Sequence, residues 1–178
     1  MKRIFLSLII LFHTVCFFGQ DSELDFDEDS NLGFYTEYIN LSDTSDSVEG
    51  IDYKIKGIDG SIIYYVGNSI GFHIGSGYEY IDAIDTHYTP LYVGLNLQFR
   101  RINSLYTRIS FGTHLGEFDK SGFLFRWGLG YQYNIFKKVQ AYLGFLYCYQ
   151  NVYKTVESLD KSYFNVEGVG FSIGLKFN

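Results

Sequence analysis

The chain has few side chains that could perform catalysis. Outside the first twenty residues its histidines are His73, His87 and His114, and its cysteine is Cys148. His114 shares a strand face with Ser110, but four strand residues separate them by ~13 Å, too far for a base to activate a nucleophile. No HExxH zinc motif is present, and no phosphate-binding glycine loop precedes a helix. The sequence therefore predicts no enzyme, no cofactor and no resident metal.

Two acidic loops combine side chains that divalent cations bind. Asp82, Asp85 and His87 occur together, and four carboxylates lie between residues 43 and 52. Clusters of this kind are most often solvated loops, and we predict a solvated loop at 82–88. For residues 43–52, cation recruitment and a solvated loop remain open alternatives.

Composition narrows the class of protein. Aromatic residues make up 20% of the 178 residues, and charged residues 19%. This length corresponds to one domain, and the aromatic content argues against intrinsic disorder. The formal charge of −6 gives no electrostatic reason to bind nucleic acid. Two cysteines exclude a disulfide scaffold.

The N-terminus is predicted to direct export. A basic start precedes an apolar run over Ile4–Val15, shorter than the ~20 residues that span a bilayer as a helix. We predict a cleaved signal peptide over 1–19; lipid attachment at Cys16 is the alternative. Residues 20–32 are predicted to be an acidic solvated tail, and residues 33–178 the folded domain.

From residue 33 onward, apolar and polar residues alternate with a period of two, which is typical of β-strands. The clearest case is Phe123 to Ile135. The facing of the first two strands is ambiguous, because Gly57 to Gly60 interrupt the second. The predicted strands are 33–41, 51–66, 69–81, 89–101, 104–114, 122–135, 138–151 and 163–178.

The predicted connections alternate in length, beginning with a long one. This alternation is typical of a transmembrane barrel, which has tight periplasmic turns and longer outer loops, and it places both chain ends at the periplasmic rim. The predicted outer loops are 42–50, 82–88, 115–121 and 152–162.

Side-chain size favours a membrane barrel over a soluble sandwich or lipocalin-like barrel. Large rings dominate one strand face, whereas glycines crowd the other. Eight strands enclose little space, so the rings would overfill the interior but meet no such limit against lipid. The sequence predicts an all-β, eight-stranded, antiparallel, up-and-down transmembrane barrel. Its predicted lipid-facing aromatic girdle comprises Tyr78, Tyr80, Trp127, Tyr131, Tyr133, Tyr147, Tyr149, Phe171 and Phe177.

The same alternation turns a set of polar side chains toward the lumen. Because buried charges have to be paired, Arg108 and Arg126 require carboxylates, for which Glu79 and Glu37 are candidates. We predict a network that plugs the lumen; a polar pathway is the alternative. The predicted lumen network comprises His73, Glu79, Arg108, Arg126, Gln132 and Lys176.

Residues 33–178 resemble the small outer-membrane β-barrel proteins of OmpA/OmpX type. The resemblance rests on the eight-strand rhythm, the motifs Ile74-Gly75-Ser76-Gly77-Tyr78 and Trp127-Gly128-Leu129-Gly130-Tyr131, and the last strand, Gly170 to Phe177. The family usually ends on an aromatic residue, whereas Asn178 follows Phe177 here.

The resemblance implies a bacterial outer-membrane location and contact with lipid and lipopolysaccharide. We expect a non-enzymatic monomer with a structural or surface-interaction role, whose loops meet an extracellular partner. The alternatives are a narrow, porin-like pore, a lipid-modifying enzyme, or a secreted soluble barrel that binds a hydrophobic ligand.

Overall fold

In a computed structural model, the chain forms a closed barrel of eight antiparallel strands. The structure describes residues 32–43, 54–67, 69–82, 85–99, 104–115, 122–156 and 159–177, without the side chains of 152–164. The predicted signal peptide and nearly all of the acidic tail lie outside these residues. The strands are β1 Leu32–Asp43, β2 Lys54–Val66, β3 Ile70–Ile81, β4 Thr86–Gln98, β5 Leu105–Leu115, β6 Phe123–Phe136, β7 Val139–Val156 and β8 Leu159–Phe177.

Closure joins the first strand to the last and confirms the predicted fold class. β1 pairs with β8 from Phe34 opposite Phe177 to Asp43 opposite Gly168. Every strand thus has two hydrogen-bonded neighbours, and the sheet has no edge. In the described part of the chain, no helix is long and apolar enough to cross a membrane.

The barrel has two rims. The terminal rim holds Leu32, Phe177 and the β2–β3, β4–β5 and β6–β7 connections; the loop rim holds the other four. At the loop rim the expected long loop at 152–162 is wrong, because β7 and β8 remain paired as far as Val156 and Leu159.

Side chains alternate between the interior and the exterior along the strands, with exceptions such as the buried Thr107. Odd-numbered residues of β1–β3 and even-numbered residues of β4–β8 are mostly buried, while their neighbours are more exposed. This pattern resolves the facing of the first two strands. Glu37 and Asp59, for example, are 5% and 1% exposed and point into the bore.

The sequence predicted an interior of small and polar side chains, but the interior also contains large apolar ones. An apolar cluster fills the bore toward the loop rim, and a second, tyrosine-rich cluster lies toward the terminal rim. A closed bore needs such side chains because, like any protein core, it is filled by close packing. The first cluster consists of Ile39, Leu41, Ile55, Ile81, Tyr92, Leu124, Leu146, Cys148 and Val166, and the second of Tyr35, Ile63, Tyr106 and Tyr142.

Two glycines of β2 show how the interior is fitted. A Cβ added to Gly57, which faces the bore, would lie 2.7 Å from Glu79 Cγ and 2.8 Å from the Tyr78 carbonyl oxygen. A Cβ added to Gly60, on the outer face, would meet Phe34 Cζ at an ordinary 3.6 Å. The inner glycine therefore makes room for a partner side chain, and the outer one does not.

We expect Gly57→Ala and Gly60→Ala to change stability in opposite directions. Gly57→Ala should lower the free energy of unfolding by about 1–3 kcal/mol through overpacking against Glu79. Gly60→Ala should leave it unchanged or raise it by up to about 1 kcal/mol, because alanine loses less backbone entropy than glycine. Urea titration of both variants in lipid vesicles measures the difference; equal effects would contradict the assigned facing.

Candidate functional site: the charged interior

The structure places all six residues of the predicted lumen network inside the barrel. Each is buried, although they come from four different strands. They do not form one continuous cluster, but occupy separate groups along the bore. The six residues are His73, Glu79, Arg108, Arg126, Gln132 and Lys176.

Arg108 spans the bore. From β5 its Nη2 donates to Glu37 Oε2 of β1 at 2.6 Å and also pairs with Oε1. Because β1 and β5 are four strands apart in either direction around the ring, this ion pair joins opposite walls of the barrel. Glu37, one of the two candidate carboxylates, is the partner.

Arg126 makes a second cross-bore connection and shares two carboxylates. Its Nη1 pairs with Asp59 of β2, on the opposite wall, and its Nη2 pairs with Glu79 of β3. The ring of Tyr92 lies 5.4 Å from its guanidinium carbon. The sequence predicted Glu79 as a partner but not Asp59, because the facing of β2 was ambiguous. Asp59 is two residues from both Gly57 and Ser61, and this spacing of small and polar residues was the signal that it shares their inward face.

Lys176 lies in an aromatic cage near the terminal rim. Its Nζ is 4.4 Å from the centre of the Tyr65 ring and 5.7 Å from that of Tyr35. The two hydroxyls are hydrogen-bonded at 2.8 Å, and Asn96 Nδ2 donates to Tyr35 Oη at 3.2 Å. Within the described residues, no carboxylate forms an ion pair with Lys176, in contrast to both arginines.

Two histidines form buried hydrogen bonds with partners that were not predicted from the sequence. His73 Nε2 lies 2.9 Å from Ser110 Oγ, and His114 Nε2 lies 3.0 Å from Gln150 Oε1. Ser110 therefore contacts His73 on β3 and not His114, which lies on its own strand. His73 and Ser110 are 5% and 3% exposed, so this base and hydroxyl form part of the packed interior.

The predicted girdle residues all lie on the outer face. Tyr78, Tyr131, Tyr133, Phe171 and Phe177 are exposed, and the other four are partly buried against neighbouring strands. Trp127 and Phe171 lie within their strands rather than at a rim, and Tyr147, expected near the outer rim, lies directly opposite Trp127 in the middle of β7. The partly buried residues are Tyr80, Trp127, Tyr147 and Tyr149.

Rings near the loop rim contact polar groups. Tyr147 Oη donates to Glu167 at 2.9 Å. His87 stacks on Tyr78, with ring centres 4.8 Å apart, and Tyr80 Oη donates to Asp85 at 3.0 Å. Tyrosine suits a boundary between an apolar medium and water, because its ring and hydroxyl prefer different surroundings.

The acidic turn after β3 is held by hydrogen bonds. Asp82 Oδ1 accepts from the Lys54 backbone N–H at 2.7 Å, while Asp85 accepts from Tyr80. In the part of the chain that the structure describes, no group of three or more histidine, cysteine or acidic side chains could hold a metal ion.

The comparison with solved structures found matches of low sequence identity. A de novo designed transmembrane β-barrel has a TM-score of 0.44 and 12% identity, with 85% of this chain and 98% of that chain covered. Outer-membrane expressed OmpT of Vibrio cholerae has a TM-score of 0.35 and 11% identity, with 83% of this chain and 52% of that chain covered. This chain therefore spans about half of OmpT. The Yersinia pestis outer membrane protein Ail in a nanodisc has a TM-score of 0.38 and 16% identity, with 82% of this chain and 98% of that chain covered. No protein-family model and no curated protein matches the chain.

We expect the Arg108–Glu37 pair to be strongly coupled. Arg108→Met should lower the free energy of unfolding by about 3–5 kcal/mol, because it leaves a buried, unpaired carboxylate. The double variant Arg108→Met with Glu37→Gln should lose clearly less than the sum of the two single variants. Equilibrium unfolding of all four proteins in vesicles gives the coupling energy, and strictly additive losses would argue against the pair.

Proposed function

We propose that the chain is an integral outer-membrane β-barrel without enzymatic activity, with a structural or surface-interaction role and a lumen plugged by its own side chains. The observation that carries this proposal is the distribution of side chains, which is the reverse of that in a soluble protein. Charged side chains cross the bore, and large apolar side chains cover the outside.

The outer face supports membrane insertion. Large hydrophobic side chains are exposed around the whole barrel, as Ile58, Val93, Phe111 and Leu143 illustrate at 50–63% exposure. A soluble protein rarely exposes so continuous an apolar surface. Among the strand side chains that the structure describes, the outward-facing charges are Lys54, Lys56 and Glu167, all toward the loop rim. An apolar band bounded by polar groups suits a bilayer.

Two observations support a plugged lumen. The pairs Arg108–Glu37 and Arg126–Asp59 both connect opposite walls, so each crosses the middle of the bore. The apolar cluster lies beside Arg126 and extends toward the loop rim, and the tyrosine-rich cluster lies toward the terminal rim. This succession of layers favours a filled core over a porin-like pore, and it leaves little space for the hydrophobic ligand of a soluble barrel.

The even number of strands places both ends of the barrel domain at the same rim. In barrels of this class the chain ends lie in the periplasm, so the terminal rim would face the periplasm and the loop rim the outside. The proposed partners are outer-membrane lipid and lipopolysaccharide around the barrel, and an extracellular partner at the loops. A lipid-modifying activity finds no support in the His73–Ser110 pair, which faces the bore.

The location is tested by fractionation and gel migration. We expect the protein in the outer-membrane fraction, released by detergent, and a faster band before boiling than after, because a closed barrel resists unfolding by dodecyl sulfate at room temperature. Protein that stays in the supernatant without detergent would contradict membrane insertion. A lipoprotein of the same membrane serves as the fractionation control.

Plugging is tested in planar bilayers. We expect little or no steady conductance from the wild-type protein. Replacing Glu37, Asp59, Arg108 and Arg126 together by serine should give only brief, small openings, because the apolar and tyrosine-rich clusters still fill the bore. Lys56→Gln, on the outer face, is the control and should stay closed. Sustained channels in the wild-type protein would contradict the plug.

A further inference from the structure

Two lysines face outward at the loop rim, where the apolar surface of the barrel ends. Lys54 and Lys56 are both exposed and lie two residues apart on β2, so their Cα atoms are ~7 Å apart on the same face. The next outward residue toward the middle of the strand is Ile58, which is 63% exposed and belongs to the apolar band. On the outer face of β2, Lys56 is therefore the charge that directly borders the apolar band.

The neighbouring strands place uncharged side chains on both sides of Lys56. On β1, Ser42 and Asn40 lie directly opposite Lys54 and Lys56. On β3, Tyr80 lies directly opposite Lys56. The two ammonium groups thus extend from a surface whose nearest cross-strand neighbours at the level of Lys56 carry no charge.

Three rings form a wall on the β3 side of the lysines. The ring centre of His87 lies 4.8 Å from that of Tyr78 and 4.9 Å from that of Tyr80. Tyr78 is directly opposite Ile58, so the wall reaches down into the apolar band. Aromatic side chains of this kind gather at the level of the lipid headgroups. Lys56 therefore lies at headgroup level, where it can meet the charged part of a lipid.

Two carboxylates of the turn after β3 lie near the lysines and are held within the turn. Asp82 Oδ1 accepts a hydrogen bond from the Lys54 backbone N–H at 2.7 Å, and Asp85 Oδ1 accepts one from Tyr80 Oη at 3.0 Å. Both carboxylates follow the end of β3 and are level with Lys54, one step further from the apolar band than Lys56. Their charges oppose anion binding from the side of the turn and leave the side of the membrane open.

The remaining described carboxylates of the loop rim point elsewhere. Asp43 belongs to the inward-facing residues of β1, and Glu167 accepts a hydrogen bond from Tyr147 on β7, with β1 between its own strand and β2. Among the residues that the structure describes, no carboxylate forms an ion pair with the side chain of Lys54 or Lys56, in contrast to both buried arginines.

We propose that Lys54 and Lys56 together bind a phosphate group of lipid A, the membrane anchor of lipopolysaccharide. This inference rests on the proposed outer-membrane location and orientation, which place the loop rim in the lipopolysaccharide leaflet. A phosphomonoester carries a charge of about −1.5 to −2 at pH 7 and offers three acceptor oxygens, so it accepts hydrogen bonds from two ammonium groups at once. The acyl chains of the same lipid then lie along Ile58 and the apolar band below it.

Two other arrangements make different predictions. Lysines at a membrane boundary often extend toward the headgroups without a specific partner, and they then respond equally to every anionic lipid. Carboxylates of the same chain are the second alternative, since Asp46, Glu49 and Asp52 precede Lys54 in the sequence. Pairing with those residues does not depend on the lipid. A phosphodiester such as phosphatidylglycerol carries a single negative charge and is the matched comparison for lipid A.

Nanodiscs of three compositions test the proposal. The protein, purified from membranes, is placed in discs of phosphatidylcholine alone, with added lipid A, or with phosphatidylglycerol of the same total charge. Backbone amide signals are compared by NMR. We expect lipid A to shift the signals of Lys54, Lys56 and Tyr80, and phosphatidylglycerol to shift them by at most about one third as much. Equal shifts with both lipids, or no shift with lipid A, would overturn the proposal.

Matched lysine variants test the charges, with native mass spectrometry of lipid A titrations in neutral detergent as the measurement. Lys54→Gln with Lys56→Gln should weaken binding ~10–30-fold, since each lysine near an anionic headgroup contributes a factor of about five. Lys54→Arg with Lys56→Arg should keep the affinity within about threefold. Lys137→Gln with Lys138→Gln, exposed at the terminal rim, is the control and should not change it. Equal losses in the two glutamine pairs would contradict the site.

Removing the neighbouring carboxylates should have the opposite effect. Asp82→Asn with Asp85→Asn should strengthen lipid A binding several-fold, because two negative charges level with Lys54 are lost. Asparagine keeps a side-chain oxygen for both hydrogen bonds of the turn, and it tolerates the positive φ of 47° at Asp85. Unchanged or weaker binding would show that the phosphate is not held beside this turn and would overturn the site.

Failure of this inference is distinguishable from failure of the proposed function. A protein that enters none of the three kinds of disc contradicts membrane insertion and this inference together. A barrel that inserts into all of them but shows no selective response to lipid A overturns the lysine site and leaves the proposed function intact.

Discussion

The structure depends on pairing buried charges across the bore of the barrel. Arg108 and Arg126 extend from neighbouring strands toward the opposite wall, where Glu37 and Asp59 meet them. A guanidinium buried without a partner would cost several kcal/mol. The pairs are therefore compatible only with a closed barrel, whose shape brings residues 71 and 67 positions apart into contact.

Much of the remaining interior follows from these pairs. Glycines such as Gly57 leave space for the long side chains opposite them. The apolar cluster toward the loop rim and the tyrosines toward the terminal rim separate the charged groups from both ends of the bore. Exclusion of water strengthens the ion pairs, because electrostatic attraction grows as the local dielectric constant falls.

The described interior side chains are mostly buried against one another, and the exposed side chains lie on the outer face and at the two rims. The groups that resemble catalytic pairs, such as His73 with Ser110, belong to the packed core. The outer face is apolar, the loop rim carries carboxylates together with Lys54 and Lys56, and the described part of the terminal rim carries Lys137 and Lys138.

The sequence alone determined the fold class, because a period of two with large rings on one face and glycines on the other leaves few alternatives. It also assigned Arg126 to the inside and Trp127 to the outside, since adjacent strand residues must face opposite ways. It did not determine the position of Asp59, whose strand is interrupted by glycines, nor the His73–Ser110 contact. Those pairings connect strands that are not neighbours in the sheet. They depend on how the closed ring brings distant walls together, which no local pattern along the chain encodes.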